Sequence, residues 1–252
     1  MSFLEQIRVE KTQEVEALLR QPPSIQARPS SRSLISALAG EDLAVIAEIK
    51  RRSPTRGAIR PGSEPIEIAQ HYEHAGAAAI SMLTDGPHFG GHINELRAVR
   101  DAVSLPVLRK DFLIHPIQVD ESYAAGADAV LLIVAMLSDT MLHQLLERCG
   151  ELEIEALVEV HEPAELERAL AVSAPLIGIN NRNLASLEID LAQAEIMLPQ
   201  CGPDVIRVAE SGIFTPSDVS RMRAAGADAI LVGSSLMLAP HPGEALKELL
   251  CG

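Results

Sequence analysis

Apolar runs that end on a charged or amide residue recur along the chain. Val45-Ile46-Ala47-Glu48-Ile49-Lys50 ends this way, and so does Pro106-Val107-Leu108-Arg109-Lys110-Asp111-Phe112. Ala156-Leu157-Val158-Glu159, Ile177-Gly178-Ile179-Asn180 and Val208-Ala209-Glu210-Ser211-Gly212 repeat the pattern. An unpartnered buried charge is costly, so packing alone does not place one at the end of an apolar strand. Other runs, such as Ala129-Val130-Leu131-Leu132-Ile133-Val134, lack apolar/polar alternation. Such runs mark strands buried on both faces, as in a parallel sheet. Strands are therefore expected near 45–50, 77–84, 106–112, 128–135, 155–160, 176–181, 205–211 and 229–236. Helices are expected between them, near 65–75, 116–125, 138–149, 162–171, 190–198, 216–225 and 242–250. Pro65, Pro116, Pro163, Pro216 and Pro242 sit where those helices begin, and there the missing N–H costs nothing. Parallel strands present their C-terminal ends on one face, the face where ligands bind. The charged strand ends thus predict one polar active site assembled from most of the chain.

An internal repeat supports the count. Ala75-Gly76-Ala77-Ala78-Ala79-Ile80 returns as Ala125-Gly126-Ala127-Asp128-Ala129-Val130 and as Ala225-Gly226-Ala227-Asp228-Ala229-Ile230. Each Gly closes a helix and the following residues lead into a strand. An open doubly wound sheet could carry the same repeat. Eight units with no Gly-rich dinucleotide turn favour a closed (β/α)₈ TIM barrel of the α/β class. The 252 residues suit one such domain, with barrel from 43 to 252 and a helical extension over 1–42. Within the extension, Leu4, Ile7, Val15 and Leu18 give an amphipathic helix over about 2–20, with Lys11 interrupting its apolar face. Pro22 and Pro23 end it, and a short helix near 33–39 follows. This extension is expected to act as a lid or plug.

Composition narrows the function. The formal net charge of −14 argues against nucleic acid or an anionic membrane as partner, although an anionic substrate in a local cleft stays open. Aromatics are 2% with no Trp, which leaves little capacity for base stacking. No apolar stretch is long enough to cross a bilayer, and the N-terminus lacks a secretory pattern. Cys149, Cys201 and Cys251 are scattered, without metal spacing, as thiols of a reducing cytoplasm would be. His88 and His92 flank Gly90-Gly91 and do not share a helix face, so no metal is expected there. Nucleotide loops and serine-hydrolase elbows are absent from the sequence.

Two strand ends read as an anion cradle. Glu210-Ser211-Gly212 closes the seventh strand and Gly233-Ser234-Ser235 the eighth, where this barrel commonly binds phosphate. The loop Ser53-Pro54-Thr55-Arg56-Gly57 is a further anion contact, and Arg51-Arg52 is either part of it or a solvated charge run. Lys50 and Lys110, with Glu48, Glu159 and Glu210, supply amines and carboxylates for general acid–base catalysis. The alternative for these charges is a salt-bridge network at the barrel mouth. Phe89, Phe112, Leu131 and Leu184 pack as core residues or wall an aromatic substrate.

In the motifs Ala47-Glu48-Ile49-Lys50-Arg51-Arg52-Ser53-Pro54, Lys110-Asp111-Phe112, Gly178-Ile179-Asn180-Asn181-Arg182, Ala209-Glu210-Ser211-Gly212 and Gly233-Ser234, the chain closely resembles indole-3-glycerol-phosphate synthase of tryptophan biosynthesis. The resemblance implies a cofactor-free and metal-free carboxy-lyase. Its substrate would be 1-(2-carboxyphenylamino)-1-deoxyribulose 5-phosphate, and its products indole-3-glycerol phosphate, carbon dioxide and water. Lys110 would be the general acid of ring closure, and Glu159 and Lys50 would share the later dehydration. Lys50 would also face the substrate carboxylate, positioned by Glu48. Asn180, Glu210 and Ser211 would hold the ribulose hydroxyls and order the catalytic groups. Ser53, Gly212, Gly233 and Ser234 would hold the phosphate. Arg182 would bind the anthranilate carboxylate or anchor the mouth, and Phe89, Phe112, Leu131 and Leu184 would wall the ring. A cytoplasmic monomer is expected, with association with other tryptophan-pathway enzymes left open. Two positions depart from the family pattern. His92 stands where Ser is usual after the Phe-x-Gly turn, and Thr55-Arg56 replaces Ser-Lys in the first loop. A Schiff-base aldolase using Lys110, a sugar-phosphate isomerase and a barrel that only binds a phosphorylated ligand are the competing readings.

Overall fold

The computed structural model describes residues 3–26, 32–54, 56–183 and 186–251. Eight parallel strands close into a barrel: β1 (Ala44–Ile49), β2 (Ala79–Leu83), β3 (Val107–Lys110), β4 (Ala129–Ile133), β5 (Glu155–Val160), β6 (Leu176–Asn180), β7 (Ile206–Glu210) and β8 (Ala229–Val232). Each strand pairs with its sequence neighbours, and β8 closes onto β1 through Ala44↔Ala229 to Ala47↔Val232. β2, β4, β6 and β8 are buried at every residue, as the unbroken apolar runs of β4 and β8 predict. The (β/α)₈ expectation is met.

Helices follow each strand, and those at Pro65, Pro116, Pro163, Pro216 and Pro242 begin at the proline. Helix closure works as the repeat predicts. Gly76, Gly126 and Gly226 take φ of 95°, 90° and 94°, a left-handed geometry that a side chain rarely adopts. The two aspartates of the repeat also share one task. Asp128 accepts the backbone N–H of Val107, and Asp228 that of Arg207, each tying its loop to the start of the preceding strand.

The fifth strand has the expected bounds and the first the expected length; the others are shorter than expected, and the eighth differs in kind. It stops at Val232, and Ser234–Leu238 is a helix, so the predicted strand over 229–236 is too long. Its apolar run continues as the buried face of that helix, with Leu236 and Met237 inside, and periodicity over so few residues does not separate the two. Helix Ile93–Ala102 and the turn Gly86–Phe89 are not among the expected helices. His92 caps the first of these, its Nδ1 accepting the Asn94 N–H at 3.1 Å. The histidine thus does what a serine commonly does at a helix start.

The N-terminal segment covers both ends of the barrel. Helix α1 (Phe3–Arg20) reaches the C-terminal rim, where Arg8 donates to the Met136 carbonyl and Glu10 pairs with His88 at 2.7 Å. Helix α2 (Leu34–Leu38) plugs the opposite end. Its N–H of Ile35 and the Ser33 hydroxyl bond to Glu155 at the start of β5, while Arg32 donates to the Leu105 carbonyl just before β3. Lys11 does interrupt the apolar face of α1, and it does so as a buried, paired charge. It is 2% exposed and lies 3.0 Å from Asp85 and 2.8 Å from Asp111.

Candidate active site

The strand register brings the expected residues to one end. Asn180 pairs with Glu210, Glu159 with Gly178, Lys110 with Leu83 and Glu48 with Ser81. A cavity at this mouth is lined by Glu48, Lys50, Ser53, Phe89, Lys110, Phe112, Leu131, Glu159, Asn180, Arg182, Glu210, Ser211, Gly212, Gly233 and Ser234. Leu184 lies outside the described residues. The sequence did not single out Leu83, Leu187, Ile213, Phe214 or Leu231, which also line the cavity. No chemical signal marks them, because apolar residues near strand ends read as core.

Lys110 is the centre of the charge arrangement. Its Nζ donates to Glu159 Oε2 at 3.0 Å and to Glu210 Oε2 at 2.7 Å. Burial opposes the ammonium charge, but Glu159, Glu210 and Glu48 outweigh it and raise the lysine's pKa well above its ordinary value. The two carboxyls then divide. Burial alone would raise Glu159, yet Lys110 and His161 override it and hold the carboxylate well below its usual range. Burial pushes Glu210 up, helped by Glu159 and resisted by Lys110. Two buried carboxyls whose pKa values are pushed apart therefore meet one ammonium at a point. Divergence of this kind marks groups suited to moving protons.

A second pair sits across the mouth, where Lys50 Nζ lies 2.6 Å from Glu48 Oε1. Glu48 is 3% exposed and abuts Gly233 so closely that a Cβ there would fall 2.4 Å from its Oε1. Ser211 holds φ of 64° and Gly212 of 82°, so consecutive left-handed residues turn the chain after β7. Left-handed backbone at a non-glycine is strained, and such strain gathers at functional sites. The short helix after β8 starts at Ser234 beside this turn. Phe89 and Phe112 approach to a centroid distance of 6.1 Å and, with buried Leu131, make an apolar wall.

Arg182 lines the cavity while its Nη1 donates to the Leu187 carbonyl at 3.1 Å, so it also anchors the loop after β6. Asn180 Oδ1 accepts the Arg182 N–H at 3.0 Å. Arg51 is no solvated charge: it pairs with Glu95 and donates to the Gly90 carbonyl, tying the first loop to the second. Arg56 stacks 5.8 Å over the Phe214 ring, which links the first loop to the one after β7. No cluster able to hold a metal occurs among the described residues.

A family model described as "Indole-3-glycerol phosphate synthase" matches residues 4–249. A relative of that name from Chlorobium phaeovibrioides is 45% identical over 94% of this chain and 95% of its own length. Another from Albidiferax ferrireducens is 45% identical over 98% and 97%. A third from Desulfosudis oleivorans is 47% identical over 88% and 85%. Among solved structures, a 3-hexulose-6-phosphate synthase superposes with a TM-score of 0.65 at 16% identity, covering 83% of this chain and 99% of that one. A thiamine phosphate pyrophosphorylase from Pyrococcus furiosus superposes at 0.62 with 18% identity, covering 86% and 96%. These two likenesses concern the fold alone.

Proposed function

Because the chain belongs to the indole-3-glycerol phosphate synthase family, we propose that the mouth residues divide the work of its reaction as follows. The enzyme, of tryptophan biosynthesis, is a carboxy-lyase that closes the pyrrole ring of 1-(2-carboxyphenylamino)-1-deoxyribulose 5-phosphate. The aryl carbon bearing the carboxylate attacks the ribulose ketone. Lys110 donates its proton to the ketone oxygen as negative charge builds there. An ammonium held beside two buried carboxyls needs no reorganisation at that moment, which is the main economy of a preorganised site. Carbon dioxide then leaves and its bonding electrons return to the ring. The new hydroxyl departs as water with a proton from an acid, and a proton comes off the ring nitrogen or carbon to a base. Glu159 and Lys50 serve this second step.

Binding follows the same geometry. Ser53, Gly212, Gly233 and Ser234 take the phosphate, Phe89, Phe112 and Leu131 wall the ring, and Lys50, steadied by Glu48, faces the substrate carboxylate. Arg182 faces that carboxylate too. Asn180, Glu210 and Ser211 hold the ribulose hydroxyls. The contact set of Lys110 with Glu159 and Glu210 supports this reading most directly. We place the enzyme in the cytoplasm as a monomer; no helix among the described residues is long and apolar enough to cross a membrane.

Turnover of the carboxyphenylamino-ribulose phosphate tests the assignment, followed by indole absorbance and fluorescence against a protein without Trp. Lys110→Met is expected to lower kcat by at least about 10² with the far-UV spectrum retained. Turnover at the wild-type rate in that variant refutes the role of Lys110. Borohydride trapping addresses the Schiff-base alternative, since a substrate adduct on Lys110 would replace the acid role with a nucleophilic one.

A further inference from the structure

His161, just beyond the end of β5, is a buried ring that no step above employs. Its Nε2 lies 3.1 Å from Glu159 Oε1 and its Nδ1 3.3 Å from Glu165 Oε2. The backbone holds the ring in place: Glu165 Oε2 accepts the His161 N–H at 2.6 Å, and the Gln193 amide donates to its carbonyl. The ring does not line the mouth. It borders a separate side cavity with Glu162, Glu165, Asp190 and Gln193.

A neutral imidazole protonates one nitrogen only, so one lone pair would face a carboxylate oxygen here. The imidazolium carries an N–H on each nitrogen: Nδ1 bonds Glu165, while Nε2, without a hydrogen-bond partner, pairs with Glu159 Oε1 by charge and proximity. Burial opposes that charge, but Glu159 and Glu165 overcome it and raise the His161 pKa to about 9. We infer that His161 is a positioning residue for the dehydration step: as an imidazolium paired by charge with Glu159 Oε1, it leaves Oε2 toward Lys110 and the cavity and keeps Glu159 ionised as a base. This rests on the proposed acid–base role of Glu159.

The charges around the pair set the sign of the effect. Glu159 is faced by Lys110 from β3, Glu210 from β7 and His161 from its own strand end, with Glu48 acting on Lys110 from β1. His161 is faced by Glu159 and by Glu165 from helix Pro163–Ala171, with Glu162 and Asp190 around the side cavity. Removing the imidazolium takes away one of two cations beside Glu159 and leaves Glu210 repelling its charge. Glu159 then holds its proton to higher pH.

The experiment is the pH dependence of kcat and KM for the wild type, His161→Asn and His161→Ala. The expected result is a fall in kcat of about tenfold, KM within about twofold, and an acidic limb displaced upward by about one pH unit in both variants. Asn, which keeps an N–H donor without the charge, is expected to recover part of kcat but not the position of the limb. Folded variants with an unmoved acidic limb overturn the inference. Should both fail to fold, ¹⁵N NMR of histidine-labelled wild type decides it: both His161 nitrogens protonated near neutral pH supports it, and a neutral tautomer overturns it. Glu159→Gln separates the two levels. Wild-type turnover there sinks the role of Glu159 itself, whereas an inactive Glu159→Gln beside unmoved His161 profiles sinks the positioning role alone.

Discussion

Arg109 and Lys110 are neighbours in sequence and face opposite sides of β3. Lys110 points into the mouth, while Arg109 turns to the helix layer and donates to Ser122 Oγ, the Gln118 carbonyl and Asp111. Strand alternation explains the division, yet the sequence alone does not say which of two adjacent cations faces in. Glycine explains another part of the site. A Cβ on Gly178 would fall 2.2 Å from Glu210 Oε1, the free end of a side chain. Gly178→Ala is therefore expected to displace Glu210 from Lys110, lowering kcat by about tenfold or more in protein that still folds. Comparing steady-state kinetics with urea denaturation checks this. A loss of stability matching the loss of rate would point to general disruption instead.

At the scale of elements, α1 was legible as a helix and its docking was not. Lys11 breaks the apolar stripe because it enters a buried charge cluster with Asp85 and Asp111 on the rim, where Thr84 and Arg109 also bond Asp111. A lysine on an apolar helix face was the available signal, since a buried charge requires a partner. Glu14, one helical turn on, pairs with it at 2.9 Å, but its two buried partners lie some 70 to 100 residues away and could not be named from spacing. Lys11→Met would leave two buried carboxylates with less compensation, and a cost of about 3–5 kcal/mol is expected by thermal or denaturant unfolding. The pH dependence carries a further check. Burial would raise the Asp111 carboxyl, but Arg109 and Lys11 hold it well below the usual range. Its contribution to stability is present above the ordinary carboxylate pKa and fades as pH falls below it. Wild type is thus expected to lose stability in acid more steeply than Lys11→Met. Parallel acid curves would place the lysine's effect elsewhere.

For the whole molecule, closure of the barrel is what makes distant residues one site, and the site in turn colours the stability of the fold. The His161 pKa rises from 6.5 to about 9 on folding. A raised histidine stabilises fully below its unfolded pKa, and that contribution disappears as pH climbs through the folded value. Glu210, also raised by burial, works in the same direction above the ordinary glutamate range. The melting temperature is expected to fall by several degrees between about pH 6.5 and 9, an effect of at most about 3 kcal/mol from His161. In His161→Asn that slope should flatten. Calorimetry across the window checks it, and an equal slope in the variant would assign the loss to other groups.

The chain by itself determined the (β/α)₈ architecture, because apolar runs, helix-starting prolines and the Ala-Gly-Ala repeat act over short stretches where spacing is informative. It also determined which polar residues gather at the mouth, because parallel strands share a C-terminal face. Only the tertiary structure decided that Lys110 bridges Glu159 and Glu210, that His161 stands behind Glu159, and that Lys11 is buried at the rim. Those contacts depend on barrel register and on side-chain direction, and both are set by closure of strands far apart in sequence rather than by any local pattern.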